Sequence, residues 1–146
     1  MKNIFAAKIA NKELELILKR KQDVRILKSC VPEYVFEIRE VETDDKIGLI
    51  NFRPILTSEL EEYGGHIEYE VDEKFRGNNN AAKSCFLLFP LLKKLKINPV
   101  IVTCDPSNIA SVKTCEKIGG KLISTKEIEI MPDKKRLTNK YFIELN

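Results

Sequence analysis

Histidine is almost missing from this chain: His66 is the only one in 146 residues, and the four cysteines, Cys30, Cys85, Cys104 and Cys115, form no CxxC pair. Zinc sites gather Cys and His at short spacings, so no metal is expected. A disulfide framework is not expected either in a chain of this size with no export signal, and reduced, mostly buried thiols are the plain reading for Cys30 and Cys85. The longest apolar run, residues 86–92, contains Pro90 and falls far short of the roughly 20 residues that span a bilayer. In the opening MKNIFAAKIANKELE, charges return too soon for a signal peptide, so the expectation is a cytoplasmic protein without membrane contact. Neither GxxxxGK[ST] nor GxGxxG occurs, which argues against the common nucleotide loops. The net charge of +3 is too small for a nucleic-acid partner, which calls for a concentrated basic face. It is compatible with a small anionic ligand.

What the chain does have is an ordinary globular balance, 43% hydrophobic and 32% charged residues, over a length that suits one domain, residues 1–146. Leu14, Ile17, Leu18 and Val24 amid many charges, with Asn11 as a possible cap, predict one or two amphipathic helices over residues 11–29. Residues 34–42 (YVFEIREVE) and 46–53 (KIGLINFR) alternate in hydrophobicity around Thr43, Asp44 and Asp45, which predicts a β-hairpin. Residues 54–64 read as a connection with at most a helical turn, and residues 65–73 (GHIEYEVDE) as a strand. A helix follows over residues 80–96, kinked or interrupted at Pro90. Residues 99–104 (PVIVTC) read as a strand buried on both faces, and residues 108–118 as a helix ended by Gly119 and Gly120. Two last strands, 121–131 and 139–145, flank a turn at Pro132, Asp133 and Lys134. The strand–helix–strand unit at the centre implies a parallel pair within a mixed sheet of an α/β (α+β) fold.

Between the fifth predicted element and the long helix lies FRGNNNAAKSC, residues 75–85. Backbone N–H groups at a helix start have no partner within the helix, and the helix dipole is positive there, so this is a natural place for a phosphate. Such a loop needs small residues and positive φ. Gly77 supplies both, and asparagine is among the few other residues that visit positive φ readily. Arg76 adds a permanent charge able to form forked contacts to phosphate. A mere helix-capping turn is the alternative.

The stretch R-G-N-N-N-A resembles the R/Q-x-x-G-x-G/A signature of the GNAT superfamily of acyl-CoA-dependent N-acyltransferases. N-I-A-S-V-K-T-C-E-K-I-G-G, residues 108–120, resembles the same superfamily's N-x-x-[AS]-x-x-x-Y-E-K-x-G-F segment. I-N-F-R (50–53), Y-G-G-H-I-E-Y-E-V (63–71), V-T-C-D-P-S-N-I-A-S (102–111) and K-Y-F-I-E-L (140–145) resemble a bacterial branch of uncharacterised predicted acetyltransferases. The resemblance covers roughly residues 34–146, and the N-terminal third has no obvious match. It implies a mixed, mostly antiparallel sheet with a central, splayed parallel strand pair, flanked by helices. It also implies acetyl-CoA as co-substrate, no metal, and an amine acceptor on a small molecule or peptide. Oligomeric state is open between monomer and homodimer.

By the same resemblance, main chain around Tyr69, Glu70 and Val71 would pair with the pantetheine arm, with Val71 N–H stabilising the oxyanion. Backbone N–H groups of Gly77, Asn78, Asn79, Asn80, Ala81 and Ala82, with Arg76, would hold the pyrophosphate. Asn79 stands where the signature has its first loop glycine. Asn108 and Ser111, the other candidate cofactor-binding residues, would begin the helix after the second splayed strand, where Asn108 would contact the cofactor arm or support the gap, with a plain N-cap as its alternative. Cys115 replaces the tyrosine that often protonates the departing thiolate, and it is either a proton donor or an inert buried thiol. The base that takes the amine proton would be His66 or Glu68, with Glu70 next; alternation puts the three on one face of their strand. Tyr63 and Tyr141 would line the acceptor pocket or pack. A non-catalytic acyl-CoA-binding sensor on the same fold is the alternative to an enzyme.

Overall fold

The computed structural model describes residues 8–146. Five strands, β1 (Lys8–Ala10), β2 (Leu14–Ile26), β3 (Ser29–Glu40), β4 (Lys46–Phe52) and β5 (Ile67–Val71), form one antiparallel sheet in chain order. A second antiparallel sheet has the order β6 (Val100–Cys104), β8 (Lys134–Ile143), β7 (Lys121–Met131). Three helices complete the chain: α1 (Ser58–Glu62), α2 (Asn80–Lys94) and α3 (Ile109–Lys117).

Residues 11–29 are not helical. They form β2 and its turn into β3, with twelve residue pairs in register. Period-two alternation wins over the helical reading because Leu14 and Leu16 are buried at 2% and 0% exposure while their neighbours are not. Asn11 caps a turn rather than a helix: its Oδ1 accepts from the N–H groups of Glu13 and Leu14 at 2.8 and 2.9 Å. The β3–β4 hairpin lies where the alternation put it. Residues 33–38 of β3, central in the sheet, are buried on both faces. β8 begins at Lys134, five residues earlier than expected, because the hairpin turn is shorter. Cys30 is exposed, not buried, since alternation in β3 turns it outward between Ser29 and Val31. Helix α2 lays Ala82, Cys85, Leu88 and Leu92 onto the first sheet, each at most 2% exposed. Full burial of each such leucine contributes roughly 1.5–3 kcal/mol.

Among the described residues, main-chain hydrogen bonds join the two sheets at one place. His66 N–H donates to Ile101 O at 2.8 Å, Ile101 N–H donates to His66 Nδ1 at 2.9 Å, and Gly64 N–H donates to Thr103 Oγ1 at 3.0 Å. Gly65 makes the approach possible: with φ +66, a Cβ there would stand 2.5 Å from Ile101 O. Beyond this junction, no ladder joins β5 to β6 among the described residues, so the expected parallel pair is a contact and not a paired ribbon.

A single buried cation braces the junction. The Arg53 side chain, 2% exposed, sends Nε to Glu33 Oε2 (3.0 Å) and Nη1 to the carbonyls of Gly64 (3.1 Å) and Gly65 (3.2 Å). Its Nη2 reaches Glu68 Oε1 at 2.8 Å. Removing one partner of a buried pair leaves the other charge uncompensated, at a cost of about 3–5 kcal/mol. Arg53→Met is therefore expected to lower the unfolding free energy by about that amount, read from urea denaturation.

Burial pushes His66 down to about 4, from an ordinary 6.5. The unfolded chain thus binds the proton more strongly than the native one. The contribution of neutral His66 is complete above about pH 6.5 and is lost as pH falls toward 4. Stability measured by urea midpoint should decline across this window by at most about 1.4 kcal/mol per pH unit. His66→Gln should flatten that slope.

Candidate active site

β5 ends one sheet and β6 ends the other, so each presents an unpaired edge to the other strand. Arg53 N–H donates to His66 O and Asp72 N–H donates to Ile47 O, which places residues 66 and 72 at hydrogen-bonded positions opposite β4. Alternation along an antiparallel ladder then turns the main-chain groups of Glu68 and Glu70 toward β4, and those of Ile67, Tyr69 and Val71 toward the open edge. A cavity of about 420 Å³ lies between the strands. Glu68 and Tyr69 line it from β5, Val102, Thr103 and Cys104 from β6, and Asn108 and Ser111 from the start of α3.

The loop before α2 has the conformation that its sequence suggests. Gly77 has φ +88 and Asn79 has φ 60, so positive φ occurs on both sides of Asn78. Asn79 makes no side-chain cap bond to the helix, which leaves the first-turn N–H groups open to an anion. Asn80 faces inward, its Nδ2 donating to Phe75 O at 3.1 Å, and Ala82 is core, so these two residues offer backbone rather than side chain. Ala81 is half-buried beside them. Arg76 folds back, its Nε donating to Val71 O at 3.0 Å, which ties the loop to the open edge of β5.

The predicted base candidates separate. Glu68 reaches the cavity, its side chain 61% exposed and paired with Arg53. His66 is buried, and its Nδ1 is committed to Ile101 N–H; Nε2 therefore carries the proton of the neutral ring. Glu70 is exposed and outside the cavity wall. The strand alternation placed all three on one face, but the junction turns the His66 ring inward to β6.

At the α3 side, the Tyr69 hydroxyl lies 3.0 Å from Ser111 Oγ and 3.9 Å from Cys115 Sγ. Burial raises the Tyr69 phenol well above its usual range, so it stays protonated. Cys115 is fully buried, and its thiol is raised by its contact with Cys104 and by burial. Cys104 goes the other way, to about 7, because the neighbouring Cys115, foremost, and Ser111 favour its charged form against the cost of burial. Asn108 caps α3, its Oδ1 accepting from Ser111 N–H at 3.2 Å, while also lining the cavity. Tyr63 lines the cavity; Tyr141 packs in the core at 3% exposure and takes a bond from Asn139 Nδ2.

Sequence reasoning missed three groups. Arg53 was legible as a lone charge closing the apolar strand KIGLINF just before Pro54. The Tyr69 hydroxyl, treated only as main chain, meets α3 by a contact between residues 42 apart. Asn51 lines the cavity beside its cross-strand neighbour Glu68, and its Oδ1 is buried without a partner.

Residues 9–121 match the model of the acetyltransferase (GNAT) domain. No curated protein matches the sequence. Among solved structures, a putative ribosomal-protein-serine acetyltransferase from Vibrio cholerae is similar at TM-score 0.66 and 12% identity, over 94% of this chain and 97% of that one. The ribosomal L7/L12 alpha-N-protein acetyltransferase RimL is similar at TM-score 0.70 and 14% identity, over 94% of each chain. Spermidine N-acetyltransferase from Vibrio cholerae, in complex with CoA and spermine, is similar at TM-score 0.60 and 13% identity, over 77% of this chain and 65% of that one. At these identities the likeness is one of fold, but the domain match spans most of the sequence, and the chain belongs to the GNAT family of acyl-CoA-dependent acetyltransferases.

Proposed function

We propose that the protein transfers an acetyl group from acetyl-CoA to a primary amine of a small molecule or peptide, by direct attack while both substrates occupy the cleft between β5 and β6. The observation that carries this reading is the pair of facing, unpaired strand edges beside the positive-φ loop of α2. The pantetheine arm would lie along β5, where Tyr69 and Val71 turn their main chain outward. Backbone N–H groups of residues 77–82 would hold the pyrophosphate, with Arg76 released from Val71 to join them. Val71 N–H would stabilise the oxyanion of the tetrahedral intermediate. The proteins similar in fold include one named for a protein α-amine and one for spermidine, so both acceptor classes fit. In this reading the protein acts in the cytoplasm as one domain, a monomer or homodimer; no helix of the described residues is long and apolar enough to cross a membrane.

Proton handling follows from which polar groups reach the cavity. Glu68 anchors the ammonium and takes its proton, directly or through water. His66 does not serve, because its one free acceptor is already bonded. Cys115 is replaced as proton donor by Tyr69, whose protonated hydroxyl shares the Ser111 and Cys115 contacts. A thiol titrates near 8.5, so the departing CoA thiolate needs only modest help.

Release of free CoA over a panel of amines tests the reading. Glu68→Gln is expected to lower kcat/KM by about 10²-fold, the ordinary scale of a general base, with acetyl-CoA affinity retained. Tyr69→Phe should lower kcat by about tenfold or less. Tight CoA binding with no release above hydrolysis for any amine would replace this reading with the non-catalytic sensor.

A further inference from the structure

We infer that the acceptor is a small primary amine that also carries an anionic group, a carboxylate or a phosphate, and that Arg136 holds this group while Glu68 holds the ammonium. The inference rests on the acetyl-transfer reading and narrows its acceptor. Two hairpins, one from each sheet, project past their neighbours. Strand β4 pairs with β3 only from Tyr34 to Arg39, so the end of the β2–β3 hairpin extends beyond it and brings Val24, Ile26 and Glu33 to the cavity. Strand β6 pairs with β8 only from Asn139 to Ile143, so the earlier part of β8 pairs with β7 alone and brings Arg136, Leu137 and Thr138 to the cavity. Thr138 is buried, and its hydroxyl donates to Arg136 O at 3.2 Å, which fixes the main chain from which the guanidinium projects.

The charged side chains that line the cavity are Glu33, Arg53, Glu68, Asp105 and Arg136, and their bonds sort them. Glu33 is filled: Oε1 accepts from Gln22 Nε2 and Oε2 from Arg53 Nε, both at 3.0 Å. Arg53 spends its nitrogens on Glu33, Gly64, Gly65 and Glu68. Asp105 commits Oδ1 to the N–H and hydroxyl of Ser107, both at 2.8 Å. Glu68 gives Oε1 to Arg53 and keeps Oε2 without a partner among the described residues. The exposed Arg136 side chain makes no hydrogen bond or ion pair among the described residues, with Asp105 or with any other group.

One cavity thus offers a ligand both an open carboxylate oxygen and an open guanidinium. The ammonium of the acceptor satisfies the first. The planar fork of the guanidinium matches a carboxylate or the edge of a phosphate, whereas a second cation would meet it as a like charge. Val24, Ile26 and Leu137 give the carbon chain that joins the two groups an apolar wall. The volume of about 420 Å³, which must also admit the end of the cofactor arm, suits a small molecule.

The test measures CoA release for matched pairs of amines, β-alanine against β-alaninamide and phosphoethanolamine against ethanolamine, which separate a carboxylate from a phosphate. The full-length protein should prefer the anionic member of at least one pair. Arg136→Gln should raise KM for that member by about tenfold, with kcat little changed and the neutral member unaffected. Comparing the two proteins on the same amine cancels the amine's own reactivity. Arg136→Lys should recover only part of the loss, since it keeps the charge without the fork. Lys135→Gln, next in sequence but outside the cavity wall, should alter neither member. The same preference in wild type and Arg136→Gln, or no preference in either, would overturn the inference and leave acetyl transfer standing. If no amine releases CoA, calorimetric binding of the same pairs to the CoA-loaded protein decides. An anionic preference that Arg136→Gln abolishes would retire the transfer reading and keep the site assignment; equal binding, or no binding of either anionic compound, would overturn the assignment as well.

Discussion

The guanidinium of Arg53 is the interaction on which the cleft depends. It is buried at the end of β4, pairs with buried Glu33 on β3, and holds the carbonyls of Gly64 and Gly65. Those glycines set the approach of the chain to β6, where Gly65 leaves no room for a Cβ against Ile101 O. His66 then makes the only pair of bonds to Ile101, and β5 departs from β6 beyond it. An arginine suits this place because its planar fork serves several acceptors at once, which a lysine ammonium cannot match in geometry. Its remaining nitrogen orients Glu68 at the cavity edge, so the same residue that braces the fold positions the proposed base.

From that brace the proposed function follows in order. Two sheets whose main chains bond at one point separate beyond it, leaving two strand edges with unmet main-chain groups. Such edges are a liability unless something covers them, and a substrate with amide groups can lie there as an added strand. The positive-φ loop at the start of α2 stands beside the same edge, tied to it through Arg76. Outside the cleft, Glu62 on α1 pairs with Lys140 on β8 at 2.5 Å and with Lys126 on β7 at 3.5 Å, which holds the two sheets together from a second side.

Much of this was legible in the sequence, and the reasons differ by element. The β3–β4 hairpin, α2, β6 and α3 were readable because their periodicity is local and their punctuation by Gly, Pro and Asp is strong. The conformation of Asn79 was readable from residue chemistry. β2 was not, since its charges and scattered leucines satisfy both periods over part of its length, and only pairing with β3 decides between them. The strand bordering the cavity was readable, but not which of its side chains reach it. Which of His66, Glu68 and Glu70 reaches the cavity depends on the junction at Ile101, a contact across 35 residues. The meeting of Tyr69 with Ser111 and Cys115 is likewise a product of the fold.

Hydrogen exchange with and without acetyl-CoA is the most direct test of substrate lying along the open edge of β5. Amides that pair with a bound arm or pyrophosphate should gain protection, so exchange should slow at Tyr69 and Val71 and in the first turn of α2 at residues 80–82. Amides of β2 far from the cleft should be unchanged. Binding that slows exchange elsewhere while leaving Tyr69, Val71 and the start of α2 untouched would contradict the placement of CoA between the two sheets.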